Sequence, residues 1–155
     1  MIRRPSSSLS FAAISLASLL ALAVVSGCGM MKRESSLVAF TTQLRAANEV
    51  PPNASQGNGS VDAVFNKETS EFRWKANFSS LSGPATAAHF HGPAAIGANA
   101  GVALPWTAPI RSPQEGRATL TPAQAADLLA GRWYANVHTA ANPGGEVRGQ
   151  MTVRN

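Results

Sequence analysis

The chain has 155 residues, 45% of them apolar and only 14% charged, with 13 glycines, 10 prolines, one cysteine and a formal net charge of +5. A lone cysteine excludes an intrachain disulfide, and the apolar share excludes wholesale disorder. Two of the positive charges, Arg3 and Arg4, sit at the extreme N-terminus. The others are scattered, with no Lys/Arg run or aromatic interleaving that would point to a nucleic-acid groove.

Residues 1–27, MIRRPSSSLSFAAISLASLLALAVVSG, have the order of an export signal. A basic start precedes an apolar stretch, Phe11 to Val25, too short to span a bilayer comfortably, and small residues follow. The sequence VVSGC resembles a bacterial lipobox, which predicts acylation of Cys28 by diacylglycerol and palmitate-type chains. Gly29, rather than Asp, after the cysteine makes the outer membrane the expected destination, on its periplasmic or surface face. The membrane is then an expected partner, through the lipid. Residues 28–36 read as the acylated cysteine and a polar tether, and residues 37–155 as a single folded domain.

Within that domain apolar residues recur with period two, the signature of half-buried strands. LVAFTTQL (37–44) sets Val38, Phe40, Thr42 and Leu44 on one side. SVDAVFN (60–66) sets Val61, Ala63 and Phe65 inward, and EFRWKANF (71–78) does the same with Phe72, Trp74, Ala76 and Phe78. Further strands are predicted over 86–91, 101–106, 116–120, 133–138 and 146–153, eight in all, separated by Gly/Pro/Asn/Ser-rich breaks. Such spacing predicts an all-β antiparallel sandwich or barrel. One short helix interrupts it: Thr121 is a candidate N-cap, Pro122 occupies the first helical position, and Gly131 follows the end. Ala125, Leu128 and Leu129 form its expected apolar stripe. At the C-terminus, AANPGG is strong turn chemistry, and folding symmetrically about Asn142 sets His138 opposite Glu146.

Several segments together resemble the CHRD domain, the module named after chordin. They are LRAANEVPP (44–52), LSGPATAAHFHGPA (81–94) and LLAGRWYANVHTAANPGGEVRGQM (128–151), in the family's order. The resemblance implies an antiparallel immunoglobulin-like or Cu,Zn superoxide dismutase-like β-sandwich. It implies no established catalytic reaction, so an enzyme is not the expected reading.

All three histidines fall inside these segments. In a strand, His89 and His91 share a face with Cα atoms roughly 6.6 Å apart, so both rings can meet one ion at about 2 Å. His138 is the one remaining imidazole, and Glu49 or Glu146 can serve as an oxygen ligand or as a hydrogen-bond partner behind the ligands. Copper or zinc suits an all-imidazole set, copper slightly the better in an extracytoplasmic setting. The layout resembles the dismutase copper site, yet a two-metal dismutase is excluded by counting, since a fourth histidine is missing. Cupin chemistry lacks its glutamate after HxH, and no GxSxG elbow supports a hydrolase.

The metal-free alternative is a polar clamp. Here His89 or His91 fixes the turn at Gly92-Pro93, His138 pairs with Glu146, and Arg148 answers Glu49. Trp74, Trp106, Trp133 and Tyr134 read as core and sheet-packing residues. The expectation is an envelope-anchored lipoprotein with one CHRD domain in a binding or scaffolding role, with copper or zinc held by His89, His91 and His138. A metal-free interaction module of the envelope competes with it, and a copper-dependent oxidoreductase is a third reading.

Overall fold

The computed structural model describes residues 35–154. The predicted signal (1–27), Cys28 and all but the last two residues of the tether (28–36) lie outside the described residues. The strands are β1 (Leu37–Arg45), β2 (Asn58–Asn66), β3 (Glu71–Ser79), β4 (Ala85–His91), β5 (Val102–Pro105), β6 (Gln114–Thr119), β7 (Tyr134–Thr139), β8 (Val147–Gln150) and β9 (Thr152–Val153). One helix, α1 (Pro122–Leu129), separates β6 from β7.

The strands join in one antiparallel ladder, ordered β5-β4-β7-β8-β1-β2-β3-β6, with β9 added against β1. The ladder curls on itself, so that the half containing β4 and β7 packs its inner face on the half containing β2 and β3. Ring contacts across the gap make this concrete: Phe90 of β4 meets Phe72 and Trp74 of β3 at centroid distances of 5.2 and 5.3 Å. Trp133 closes the layer edge-on to Phe72 at 6.0 Å. Edge-to-face aromatic packing adds about 0.5–1.5 kcal/mol per pair beyond the area it buries. The expected all-β sandwich is therefore present, as two layers of a continuous sheet.

Period two in the sequence became alternation in space. Phe40, Leu44, Val61, Phe65, Phe72 and Ala76 are all buried, while Asp62, Arg73, Lys75 and Asn77 between them face solvent. Gly116 on β6 is glycine because a Cβ there would stand 2.2 Å from the Trp74 indole lying across it.

Helix α1 has the predicted cap in full. Thr121 Oγ1 accepts from the Gln124 amide, and the Gln124 side chain accepts from the Thr121 amide. That capping box contributes about 1 kcal/mol to an eight-residue helix too short to stand alone. Leu128 anchors it with no exposure, but Leu129 remains 39% exposed, so the expected three-residue stripe narrows to Ala125 and Leu128. The single C-terminal strand expected over 146–153 is divided. β8 lies between β7 and β1, its pairing with β7 carried one step further by the Met151 amide on the Trp133 carbonyl at 2.8 Å, and beyond Met151 β9 pairs with β1 alone.

Candidate metal centre

Strand alternation gives β4 and β7 two chemically opposite faces. Ala88, Phe90, Ala135 and Val137 point into the core, which leaves His89, His91, Tyr134, Asn136 and His138 on the other side. The register places His91 opposite Tyr134, His89 opposite Asn136, and Asn136 opposite Arg148 of β8. This polar face is covered. Tyr134, Asn136 and Arg148 are 3%, 3% and 2% exposed, and His91 and His138 are buried as well.

Two connecting segments form the cover. From the β1–β2 connection, Asn48 donates to the Arg148 carbonyl at 3.0 Å and Asn53 to the Glu146 carbonyl at 3.0 Å. From the β4–β5 connection, Ala98 and Asn99 accept from the Arg148 guanidinium at 2.6 and 2.8 Å, and Asn99 donates to Val50 of the first segment at 2.9 Å.

One nitrogen from each of His89, His91 and His138 lies within 4.8 Å of the others. Their remaining bonds fix the protons. His138 Nδ1 is 3.0 Å from the Pro143 carbonyl and His91 Nδ1 is 3.0 Å from the Ala100 carbonyl. A carbonyl only accepts, so both rings donate from Nδ1, and in the neutral form each keeps a lone pair on Nε2. His89 Nδ1 stands 3.0 Å from His138 Nε2 and therefore supplies the proton of that bond. His91 Nε2 is buried and has no partner.

Burial lowers the pKa of His89 below 6.5, with the charges of His138 and His91 acting in the same direction. Burial also lowers that of His138, against the opposing bond to Pro143 and with further help from His91. Both rings are thus neutral at pH 7, the state a metal requires. Around a tetrahedral ion with bonds of about 2.0–2.1 Å, neighbouring ligand nitrogens are about 3.3 Å apart. The 3.0 Å gap between His89 and His138 is close to that edge. Histidine ligands ordinarily donate their second N–H to a carbonyl or carboxylate, as His91 and His138 do here.

Neither Glu49 nor Glu146 belongs to the group of converging atoms. The predicted His138–Glu146 bond does not form. Regular pairing stops at Val137–Val147, where the Glu146 amide donates to the Val137 carbonyl at 2.8 Å. The fully buried Glu146 carboxylate instead accepts from Ser55 Oγ, the Ser82 amide, Ser82 Oγ and Thr139 Oγ1, at 2.6, 2.6, 2.6 and 2.5 Å. Burial pushes its pKa up, but these bonds together outweigh it and bring the group down to about 2.

Arg148 does not ion-pair with Glu49 either, because its guanidinium is committed to Ala98 and Asn99 and lies over the Tyr134 ring, 3.4 Å from its centroid. Glu49 is 6% exposed and its Oε1 has no partner. Burial raises its pKa to about 7, with the Arg148 charge pulling the other way. Gly145, at φ 133°, makes room for it: a Cβ there would meet Glu49 Oε1 at 2.5 Å. His91 fixes the segment after Gly92-Pro93 through Ala100 rather than at the turn itself.

Sequence reasoning missed Asn136 and the Ser55–Ser82–Thr139 set; it read Tyr134 as a core and sheet-packing residue, and the ring is indeed buried, on the histidine side of the sheet and stacked on His91. Alternation in YANVHT carried the signal for Tyr134 and Asn136, since both share His138's parity against Ala135 and Val137. Ser55 and Ser82 come from segments 91 and 64 residues away from Glu146, and no local pattern announces them.

Fold and site together define a class: an antiparallel β domain whose non-core sheet face carries a covered cluster of three imidazoles. The CHRD domain model matches residues 40–151, most of the chain, and the protein belongs to the CHRD domain family. Searches among curated proteins and among solved structures gave no match.

Proposed function

We propose that this chain is an exported lipoprotein, held at the outer membrane through acylated Cys28, whose CHRD domain binds one transition-metal ion through His89, His91 and His138. Its role is binding or scaffolding. The observation that carries the metal reading is His91 Nε2. With Nδ1 engaged by Ala100, it is the nitrogen His91 has left to offer, and it is buried without a partner. An orphaned buried polar atom costs about 1–3 kcal/mol, which a metal bond removes. Three imidazoles suit copper or zinc, with copper favoured outside the cytoplasm.

The polar clamp has its own support in the 3.0 Å His89–His138 bond. Coordination through His89 Nδ1 and His138 Nε2 would require the proton between them to leave, and at those two atoms the readings would exclude each other. The clamp is thus what the site becomes without metal, and it still leaves His91 Nε2 unmatched.

Elemental analysis of protein purified without an affinity tag decides between them. One equivalent of copper or zinc is expected in the parent, falling to background in the H89A/H91A double variant. Equal metal content in both, or none in a reconstituted parent, would refute coordination. For the anchor, Cys28→Ser is expected to abolish acylation and leave the signal uncleaved, and a fully processed, membrane-associated Cys28→Ser protein would refute it.

A further inference from the structure

We infer that Arg148 is a positioning residue of the histidine centre, one that sets the orientation of His91 through Tyr134 and the 98–100 segment; this rests on the metal reading above. The side chain is 2% exposed, and no carboxylate lies within ion-pair distance of it among the described residues. Glu49 acts on it only from beyond contact, and a buried cation with no carboxylate in contact is costly; here its hydrogen bonds and stacking hold other groups in place.

The contacts form a closed ring. Arg148 lies over one face of the Tyr134 ring at 3.4 Å, and His91 is stacked on the same ring, 4.9 Å between centroids and 3° from parallel. Arg148 also ties down Ala98 and Asn99 through its two terminal nitrogens. The next residue, Ala100, donates its amide to Tyr134 Oη at 3.2 Å and accepts from His91 Nδ1 at 3.0 Å. Three consecutive residues thus bind Arg148, Tyr134 and His91 in turn. Two restraints on the His91 imidazole, the stack and the Nδ1 bond, lead back to one guanidinium.

Only arginine fits that role. Its planar group stacks on an aromatic face while donating sideways to two acceptors, and a lysine ammonium cannot do both. Without it the 98–100 segment loses two bonds and keeps those to Val50 and Tyr134, and the looser hold on Ala100 lets His91 exchange tautomers and turn Nε2 away. Partners behind metal ligands typically contribute 10–100-fold to affinity.

The test has two independent readouts on the full-length protein. The first is nitrogen-15 NMR of the imidazoles at pH 8 without metal, where the parent is expected to show His91 as a single Nδ1–H tautomer. The second is titration with Cu²⁺ and Zn²⁺, following affinity and the visible copper absorption. R148M is expected to mix the His91 tautomers, weaken binding 10–100-fold and shift the copper band, and R148K is expected to behave like R148M despite its charge. N99A removes one Arg148 acceptor, together with the bond from Asn99 to Val50, while keeping the cation, and should move both readouts less, in the same direction; it also carries the test if R148M does not fold. Parental tautomer and affinity in R148M and N99A would overturn the inference, as would full recovery in R148K, which would reduce Arg148 to a charge. A parent that takes up no metal, yet shows the tautomer response to R148M, would end the metal reading and leave Arg148 as the residue that orients His91.

Discussion

Glu146→Gln is the sharpest probe of the polar framework behind the histidines. The wild-type carboxylate is fully buried and accepts four hydrogen bonds, at 2.5 to 2.6 Å, from Ser55, Ser82 and Thr139. An amide of the same shape keeps the packing but turns two acceptor sites into donors and removes the charge. Hydrogen bonds to a charged group contribute about 1.5–3 kcal/mol each and neutral ones about 0.5–1.5, so four weakened bonds amount to about 4 kcal/mol before the smaller desolvation cost of the amide is credited. A second route reaches a similar figure. Folding takes this group from 4.5 down to about 2, and at 1.36 kcal/mol per pH unit the folded state prefers the carboxylate over the acid by about 3 kcal/mol.

The sign follows from proton binding. A depressed folded pKa gives stability that is complete above pH 4.5 and is lost as pH falls toward 2. Urea unfolding followed by the fluorescence of the buried tryptophans should therefore show E146Q about 3 kcal/mol less stable than the parent at pH 7. The difference should shrink as the parent itself weakens below pH 4.5. A variant within 1 kcal/mol of the parent at pH 7, or one with the parent's full acid slope, would refute the account of Glu146 as a charged, bonded anchor.

Glu49→Gln should behave in the opposite sense. Its raised pKa means that the parent loses stability as pH climbs from 4.5 to about 7, so E49Q is expected to match the parent at pH 4 and exceed it at pH 8 by up to about 3 kcal/mol, read by the same urea titrations. The histidine contributions are common to both proteins and cancel in the difference; a flat difference across this range would contradict the buried neutral acid. Gly145→Ala should cost about 2–4 kcal/mol, because its Cβ would stand 2.5 Å from Glu49 Oε1 and 2.8 Å from Asn136 Nδ2 at φ 133°. Gly144→Ala, with nothing within 4 Å of the added carbon, is the control and should stay within about 0.5 kcal/mol in thermal unfolding.

The fold was legible in the sequence wherever one side of a strand is oil and the other water. EFRWKANF and SVDAVFN could not be placed otherwise, and Thr121-Pro122 announced the helix start and Gly131 its end. The histidine group was legible for the same reason, since parity alone puts His89 and His91 together. What stayed hidden depends on segments without periodicity. Glu146 was given His138 as its partner because a symmetric hairpin permits it; serine hydroxyls from two distant connections competed for the carboxylate and won, with Thr139 beside them. Arg148 was given Glu49 on charge alone, whereas its planar group found a ring, the Ala98 carbonyl and the Asn99 side-chain oxygen. Leu129 was counted in the apolar stripe, yet it stands about 100° round the helix from Leu128, which takes the core position and leaves Leu129 39% exposed.

Strand β4 performs two unrelated tasks at once, through alternate residues. Ala88 and Phe90 belong to the aromatic interior, and His89 and His91 between them to the imidazole group. A slide of one position along its neighbours would thrust both histidines among the indoles and leave Phe90 facing the covering segments. Misthreading of this strand would therefore be punished twice, by the lost oil and by the scattered imidazoles, and the irregular step at Phe90/His91 against β5 lies at the point where the two demands meet.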